Sequence, residues 1–385
     1  MVRQSILSLA GLAEIDYLGP KFSDRSLEQT FRKIYPLEYE SSYSGLAKTL
    51  FSGVTTGYYR SWLAMSSKLD WNDYDLVYLE YSRYGFIARE AKKYQKKLVV
   101  RVHNVERDYF LNRVTEKKSL QNSLRSLIKR KLITRQEKLC LHSADCVICL
   151  TAGDKKRLSE LYPEYLDEKK FMIIPVALEE SCPPATPSIN QIDAAQKNPY
   201  LLITGSLWFG PNADGAAWFI KNVWHKLVDD EHYVSRIFKL VIAGSKAGKK
   251  ILSLASCHKN IELVDSPREM NPYFKKASIY LAPIFSGAGM KVKVAEALSY
   301  GLPVIGTSHA LTGYKITDRE NGYRADDAAA FINALEHYTR LTVEDKQIMR
   351  SKSRRLFQED HSMEISKKHF NRLIVMTGSA KPDLS

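Results

Sequence analysis

Short apolar runs alternate with helix-length amphipathic stretches twice along this chain, once on each side of a proline-rich break. Before the break, strand-like runs lie at 15–18, 31–37, 75–80, 98–102, 145–150 and 171–175, with helical patterns at 45–69, 86–94 and 152–161. Pro183, Pro184, Pro187 and Pro199, mixed with Ser, Thr and Asn, then interrupt the pattern. Beyond them come runs at 200–204, 238–243, 261–264, 279–283 and 303–306, a helix at 214–228, and a charged helical stretch over 343–376. Strands spaced by helices in this way pair in parallel, with helices covering both faces of the sheet. The expectation is therefore an α/β chain of two Rossmann-like domains, 1–180 and 200–350. A linker at 181–199 joins them, and a C-terminal helical segment at 351–385 is placed to pack back across the junction. Its 385 residues exceed what one core organises. Open parallel sheets bind ligands beyond the carboxyl ends of their strands, so function is sought in loops after strands, with the two sheets facing across a cleft.

No apolar run approaches the roughly 20 residues of a membrane span, and no secretory h-region opens the chain, which predicts a soluble protein; the cysteines place it in the cytoplasm. Cys140, Cys146, Cys149, Cys182 and Cys257 form no disulfide framework and read as reduced thiols. Cys146 and Cys149 make a CxxC, but inside an apolar run, where residues three apart point to opposite faces of a strand; no metal or redox site is expected there. The net charge of +14 is concentrated, since residues 83–138 hold 17 Lys and Arg against 5 Asp and Glu. Leu120, Leu124, Leu127, Ile128 and Leu132 share one side of a helix there, with Arg125, Lys129, Arg130, Lys131 and Arg135 mostly elsewhere around it. Two readings stay open: a solvated basic face, or attraction to an anionic membrane surface or acceptor, each basic residue near such a surface contributing about 1 kcal/mol. No nucleic acid partner is expected, because neither a recognition motif nor a stacking-aromatic pattern accompanies the charge.

The most informative segment is Ala282-Pro-Ile-Phe-Ser-Gly-Ala-Gly-Met-Lys-Val-Lys-Val-Ala-Glu-Ala-Leu-Ser-Tyr-Gly-Leu-Pro-Val-Ile-Gly306, which reads strand, glycine loop, helix, turn, strand. Gly287, Ala288 and Gly289, leading through Met290 into the helix, carry almost no side chain, so a bulky anion can reach the backbone. The following helix offers unpaired N–H groups and the positive end of its dipole. A pyrophosphate fits those demands. Lys293 and Glu296 are three apart and share a helix edge that Tyr300 continues, while Val294, Ala295 and Leu298 face the sheet. Side chains lean toward a helix N-terminus, which aims Lys293 and Glu296 at the loop. The bland alternative is an ordinary amphipathic helix with a surface Lys–Glu pair.

These residues resemble the donor site of family-4 glycosyltransferases, in the subgroup with a Gly-x-Gly loop, a Lys-x-x-Glu-Ala helix and a Gly-x-Pro-Val turn. Further matches occur in order: Ile203-Thr-Gly-Ser-Leu207 followed by Pro211-Asn-Ala-Asp-Gly-Ala-Ala-Trp-Phe219, Arg101-Val-His-Asn-Val-Glu106 like that subgroup's His-Asn-x-Glu loop, and Tyr74-Asp-Leu-Val-Tyr-Leu-Glu80 like the strand before it. Together they span roughly residues 70–325. The resemblance implies a GT-B fold with an acceptor-side first domain and a donor-binding second domain, and retaining, metal-independent transfer with no cofactor beyond the nucleotide-sugar substrate. It implies that Glu296 holds the donor ribose, Lys293 meets the diphosphate, and His103 faces the transferred sugar or the acceptor, beside Asn104 and Glu106. Gly205 and Ser206 then flank the diphosphate from the other side, and the stretch from Ser266 to Glu269 borders the base.

Several positions depart from that pattern. A second glutamate, eight residues before Glu296 in many members, is Ala288 here. Ser206 and Pro211 stand where Arg and Lys are common, and Thr312-Gly313 where a Glu-Gly pair is common. The opening residues 2–13 look like the helix after a first strand, so the first domain is expected to lack that strand. Three look-alikes are set aside. Gly244-Ser-Lys-Ala-Gly-Lys-Lys250 is one residue short of a phosphate loop and lacks its Ser/Thr. Asp73-Tyr-Asp75 sits at a strand start rather than at a metal, and Glu137 and Asp145 are expected to be ion-paired.

The function this predicts is transfer of a sugar from a UDP- or GDP-linked donor to a glycan or lipid-linked acceptor in surface-polysaccharide biosynthesis, in the cytoplasm and peripherally at the inner face of the cytoplasmic membrane. The alternatives are a GT-B-like nucleotide-sugar epimerase and a non-catalytic nucleotide-sugar-binding partner subunit.

Overall fold

The computed structural model describes residues 1–21, 25–39, 54, 58–109, 120–165, 167–180 and 199–378, the side chains of 120–126 excepted. The chain divides into two compact units, one of Met1–Pro175 with Ser366–Ser385, the other of Val176–Ile365. The break near the end thus falls at Ile365, not at 350. Most of the expected linker, with Cys182, lies outside the described residues, as does much of the helical pattern at 45–69, of which Tyr59–Ser66 is seen as a helix.

In the first unit β1 (Ile15–Gly19) and β2 (Phe31–Pro36) form a two-stranded parallel sheet. A second parallel sheet runs β3 (Leu76–Leu79), β4 (Lys97–Val102), β5 (Cys146–Cys149), β6 (Phe171–Ile173). The period-2 alternation is used on both faces. Leu98, Val100 and Val102 pack with Ala88, Leu141 and Leu158, whereas Val99 and Ile148 pack with Phe370, Leu373 and Ile374 of the last helix, Met363–Thr377. Cys149 joins the first of these clusters and Cys146 the second, so the CxxC is split between opposite faces as its strand setting requires. Burial pushes the Cys146 thiol up to about 11. The helix Gly85–Lys93 crosses Leu120–Ser143 closely, since a Cβ at Gly85 would stand 2.3 Å from the Gln136 carbonyl oxygen.

The second unit is built on one six-stranded parallel sheet. Its strands are β7 (Tyr200–Ser206), β8 (Lys239–Ser245), β9 (Ile261–Asp265), β10 (Ile279–Ala282), β11 (Val304–Gly306) and β12 (Gly322–Arg324), in the order β9-β8-β7-β10-β11-β12. That is the doubly wound order 3-2-1-4-5-6, with β7 central. β12 was not expected; three residues without an apolar run leave no periodic signal. The helix expected at 214–228 begins earlier, at Gly210, and is a helix Gly210–Phe219, a π-helical turn Ile220–Trp224 and a helix His225–Asp229. Phe219, Val223 and Trp224 from it fill the core with Leu201, Leu240, Ile279 and Phe331. The stretch at 343–376 is two helices, Val343–Asp360 and Met363–Thr377, parted at His361, whose carbonyl accepts from Leu178 N at 2.9 Å and whose Nδ1 lies 2.8 Å from the Val176 carbonyl. Among the described residues no helix is long and apolar enough to cross a membrane.

Candidate functional site

In the second unit β10 runs out into the glycine loop, and the helix Val292–Ser299 returns the chain to β11. Val294, Ala295 and Leu298 are fully buried, which turns the opposite edge outward. On that edge Lys293 Nζ donates to Glu296 Oε2 at 2.7 Å, the two side chains 38% and 18% exposed. Tyr300 does not continue an open edge. It is buried, its ring stacks on Phe274, and its hydroxyl donates to Asn271 Oδ1 at 2.8 Å.

The loop itself is shaped by glycine in two ways. Gly287 and Gly289 take φ of +94° and +73°, values that L side chains rarely adopt, and a Cβ at Gly287 would come within 3.3 Å of Pro211 Cγ. That contact brings the loop beside the chain leaving β7. There Asn212 fills the space in front of Gly205, where a Cβ would meet its Nδ2 at 2.7 Å, and donates to the Ser206 carbonyl at 3.2 Å. Gly205, Ser206, Gly287, Ala288, Gly289, Lys293 and Glu296 therefore lie at the carboxyl edge of two adjacent strands, with Met290 buried beneath. Glu269 is exposed beyond β9, two strands from β7. Two residues that sequence reasoning missed complete the loop. Lys291 Nζ donates to the carbonyls of Gly287, Ala288 and Gly289 at 3.1, 3.3 and 2.9 Å. His309 Nε2 lies 2.7 Å from the Gly287 carbonyl, and burial, with Lys291 adding, lowers its pKa. A neutral ring with its proton on Nε2 satisfies that contact. Gly244, in the dismissed phosphate-loop look-alike, serves strand packing: a Cβ there would stand 1.8 Å from the Gly205 carbonyl oxygen.

In the first unit His103 follows β4 and is 2% exposed. Its Nε2 is hydrogen-bonded to Glu80 Oε2 at the end of β3, and Tyr81 stacks on its ring at 4.4 Å. Burial pulls the His103 pKa down, against the pull of Glu80. Burial raises that of Glu80, but the His103 bond and the charge of Arg101 outweigh it and hold it low. Arg101 is fully buried and donates to Ser5 Oγ at 2.6 Å and Gln4 Oε1 at 2.9 Å. Asn104 is half-buried. Glu106 is 1% exposed with Oε1 3.5 Å from Arg83 Nε; burial, opposed by Arg83 and reinforced by Glu137, pushes it up to about 7.

Asp145 is paired with Lys92 at 2.8 Å, but Glu137 corrects the expectation made for it. Rather than meeting a cation, it is fully buried and accepts from Ser82 Oγ, Tyr162 Oη, Glu106 N and Arg107 N at 2.9, 2.6, 2.9 and 3.4 Å. Glu137 thereby ties down the loop that carries His103 and Glu106. Its signal in the sequence was its isolation as the one carboxylate of the basic helix.

Residues 198–340 match the family model of glycosyl transferases group 1. Over 148 residues the chain is 28% identical to an uncharacterized 44.6 kDa protein in the cps region of Klebsiella pneumoniae, a match covering 36% of this chain and 37% of that protein. Sucrose-phosphate synthase from Thermosynechococcus elongatus superposes with a TM-score of 0.70 at 16% identity, covering 99% of this chain and 93% of that one. Anabaena HepE, solved in complex with UDP and glucose, superposes with a TM-score of 0.61 at 12% identity, covering 98% and 95%. The fold is GT-B, and residues 198–340 match the glycosyl transferases group 1 domain.

Proposed function

We propose that the protein is a glycosyltransferase that moves a sugar from a UDP- or GDP-linked donor to a glycan or lipid-linked acceptor in surface-polysaccharide assembly. The observation that carries the reading is the glycine loop running into a helix edge where an ammonium and a carboxylate sit side by side, inside the group 1 domain. Donor binding splits that pair. Lys293 turns to the diphosphate, and Glu296 accepts from the ribose diol, each such charge-assisted bond contributing about 1.5–3 kcal/mol. As the glycosidic bond to the nucleotide breaks, its electron pair leaves on the diphosphate, where loop N–H groups and Lys293 meet the growing charge; this chemistry requires no metal. The acceptor hydroxyl attacks the same face and gives its proton to the departing diphosphate oxygen, so that the new glycosidic bond forms as the old one breaks and anomeric configuration is retained. His103, kept neutral by burial, contacts the transferred sugar or acceptor, with Asn104 and Glu106 beside it. The UDP in HepE and the cps-region setting of the Klebsiella protein support the donor class and the pathway.

The decisive experiment is Glu296→Ala with a thermal-shift screen of UDP, GDP and their sugars. Wild-type protein is expected to be stabilised by one of them and the variant to lose that response, by about 100-fold or more in affinity for two lost charged bonds. A variant that binds and transfers normally sinks the reading. Undiminished transfer in EDTA tests the metal-free step, and the anomeric signal of the product tests retention. The basic segment 83–138 is proposed to hold the protein at an anionic membrane surface, so liposome binding is expected to weaken steeply with salt.

A further inference from the structure

We infer that Lys291 is a positioning residue that sets the donor loop in its anion-binding conformation; the inference rests on the donor-site reading above. Its ammonium gathers three consecutive carbonyls, those of Gly287, Ala288 and Gly289, at 2.9 to 3.3 Å. In a trans peptide the carbonyl of one residue and the N–H of the next point in opposite directions. Drawing those three oxygens to one point therefore turns the N–H groups of Ala288, Gly289 and Met290 away from Lys291, together. The backbone angles agree. Gly287 and Gly289 have positive φ while Ala288 between them does not, a backbone that wraps three carbonyls round one ammonium and leaves the three N–H groups on the outer side of the loop. Among the described residues, none of these three N–H groups takes part in a backbone–backbone hydrogen bond.

Two further contacts hold the clamp in place. The Tyr314 hydroxyl donates to the Lys291 carbonyl at 2.9 Å, fixing the stem from which the side chain reaches back, and His309 Nε2 meets the Gly287 carbonyl from another side. Without the ammonium, three carbonyl dipoles would face one another unneutralised, and the peptide planes would be free to flip. Lys291 and Lys293 thus divide the work. The first organises the backbone donors from behind; the second meets the ligand.

The test compares Lys291→Met and Lys291→Arg with wild type, titrating UDP against uridine and GDP against guanosine. Lys291→Met is expected to lose tenfold or more in affinity for the diphosphate while nucleoside binding stays within twofold, a selectivity that a general loss of structure would not produce. Lys291→Arg, whose planar fork meets at most two of the carbonyls, is expected to fall between. Diphosphate affinity within twofold of wild type in both variants overturns the inference while leaving the donor site standing. Wild-type protein that binds neither nucleotide removes the donor site and the inference with it. Should Lys291→Met not fold, Lys291→Arg alone is read by the same ratio, and an unchanged diphosphate-to-nucleoside ratio overturns the proposal.

Discussion

The two units solve one topological problem differently. In the second, β7 is central and hydrogen-bonded on both sides, to β8 over seven residue pairs and to β10. In the first, the described residues place no strand between β1 and β3, and the sheet is two separate ladders. Side chains do the joining there: Tyr74 Oη donates to Asp16 Oδ2 at 2.9 Å, and Tyr78 Oη lies 3.2 Å from Ser5 Oγ, which also receives Arg101. The buried charges follow the same division. Among the described residues Arg101, Glu106 and Glu137 are buried in the first unit, whereas the buried polar residues of the second are hydroxyls, Asn321 and His361, with the guanidinium of the partly exposed Arg350 also drawn inside, donating to the Ala277 carbonyl. A backbone ladder tolerates an apolar core around it, but a sheet joined by side chains buries polar groups, and Arg101 Nε, His103 Nδ1 and Glu106 Oε2 find no hydrogen-bond partner among the described residues. The second unit is therefore limited by steric fit and the first by electrostatics.

The largest effect expected is steric. Gly244→Ala places a Cβ 1.8 Å from the Gly205 carbonyl oxygen and 3.0 Å from Leu207 Cγ, in two strands that the ladder prevents from separating. A cost of about 4 kcal/mol or more is expected, seen as loss of folded protein or a large fall in urea midpoint. A variant within about 1 kcal/mol of wild type would break the comparison on the side of the second unit. The counterpart in the first unit is Glu137→Ala, which strands two hydroxyls and two backbone N–H groups in a buried place. At about 1–3 kcal/mol for each buried group left unpaired, partly relieved by entering water, a loss of about 3 kcal/mol is expected by urea denaturation, with nucleotide binding to the second unit unchanged.

A third effect separates the units by pH. The folded-state pKa of Glu106 is raised to about 7 from 4.5, so between those values the native state holds a proton that the unfolded chain releases. Its stabilising contribution is complete below 4.5 and is lost as pH rises through 7, by at most about 3 kcal/mol. His103 acts in the opposite sense. Its depressed pKa gives stability present above 6.5 and lost as pH falls through the folded value. Subtracting Glu106→Gln from wild type cancels the histidine. The difference in unfolding free energy is expected to move against wild type from pH 4.5 to 7.5, and a flat difference would show that Arg83 already neutralises the carboxylate.

What was legible in the sequence follows the same divide. The strand–loop–helix segment could be read because glycine, helical periodicity and a buried face are local signals, and Lys293 and Glu296 meet through a spacing of three. The Lys291 clamp could not be read, since the reach of a flexible side chain depends on the φ of two glycines. Nor could the first unit's network. Glu80 meets His103 from the neighbouring strand, and Arg101 meets Gln4 and Ser5 across more than ninety residues, so only the fold makes them neighbours. The π-helical turn at Ile220–Trp224 left no mark in an unbroken helical pattern.

The smallest effect on stability belongs to the most functional charge. Lys293 is 38% exposed and its pair with Glu296 spans i to i+3 on a short helix, a geometry that contributes about 0.5 kcal/mol or less. Lys293→Met is therefore expected to leave the urea midpoint nearly unchanged, where Glu137→Ala lowers it greatly. The same variant is expected to weaken diphosphate binding about tenfold and to flatten its dependence on salt, because one full charge has left the site. The contrast is the point of the experiment: in the first unit charge is spent inside the fold, whereas at this edge of the second it is held half in water, where a ligand can take it over. A Lys293→Met protein that loses several kcal/mol of stability and none of its nucleotide affinity would place this pair with the structural charges and erase the distinction between the units.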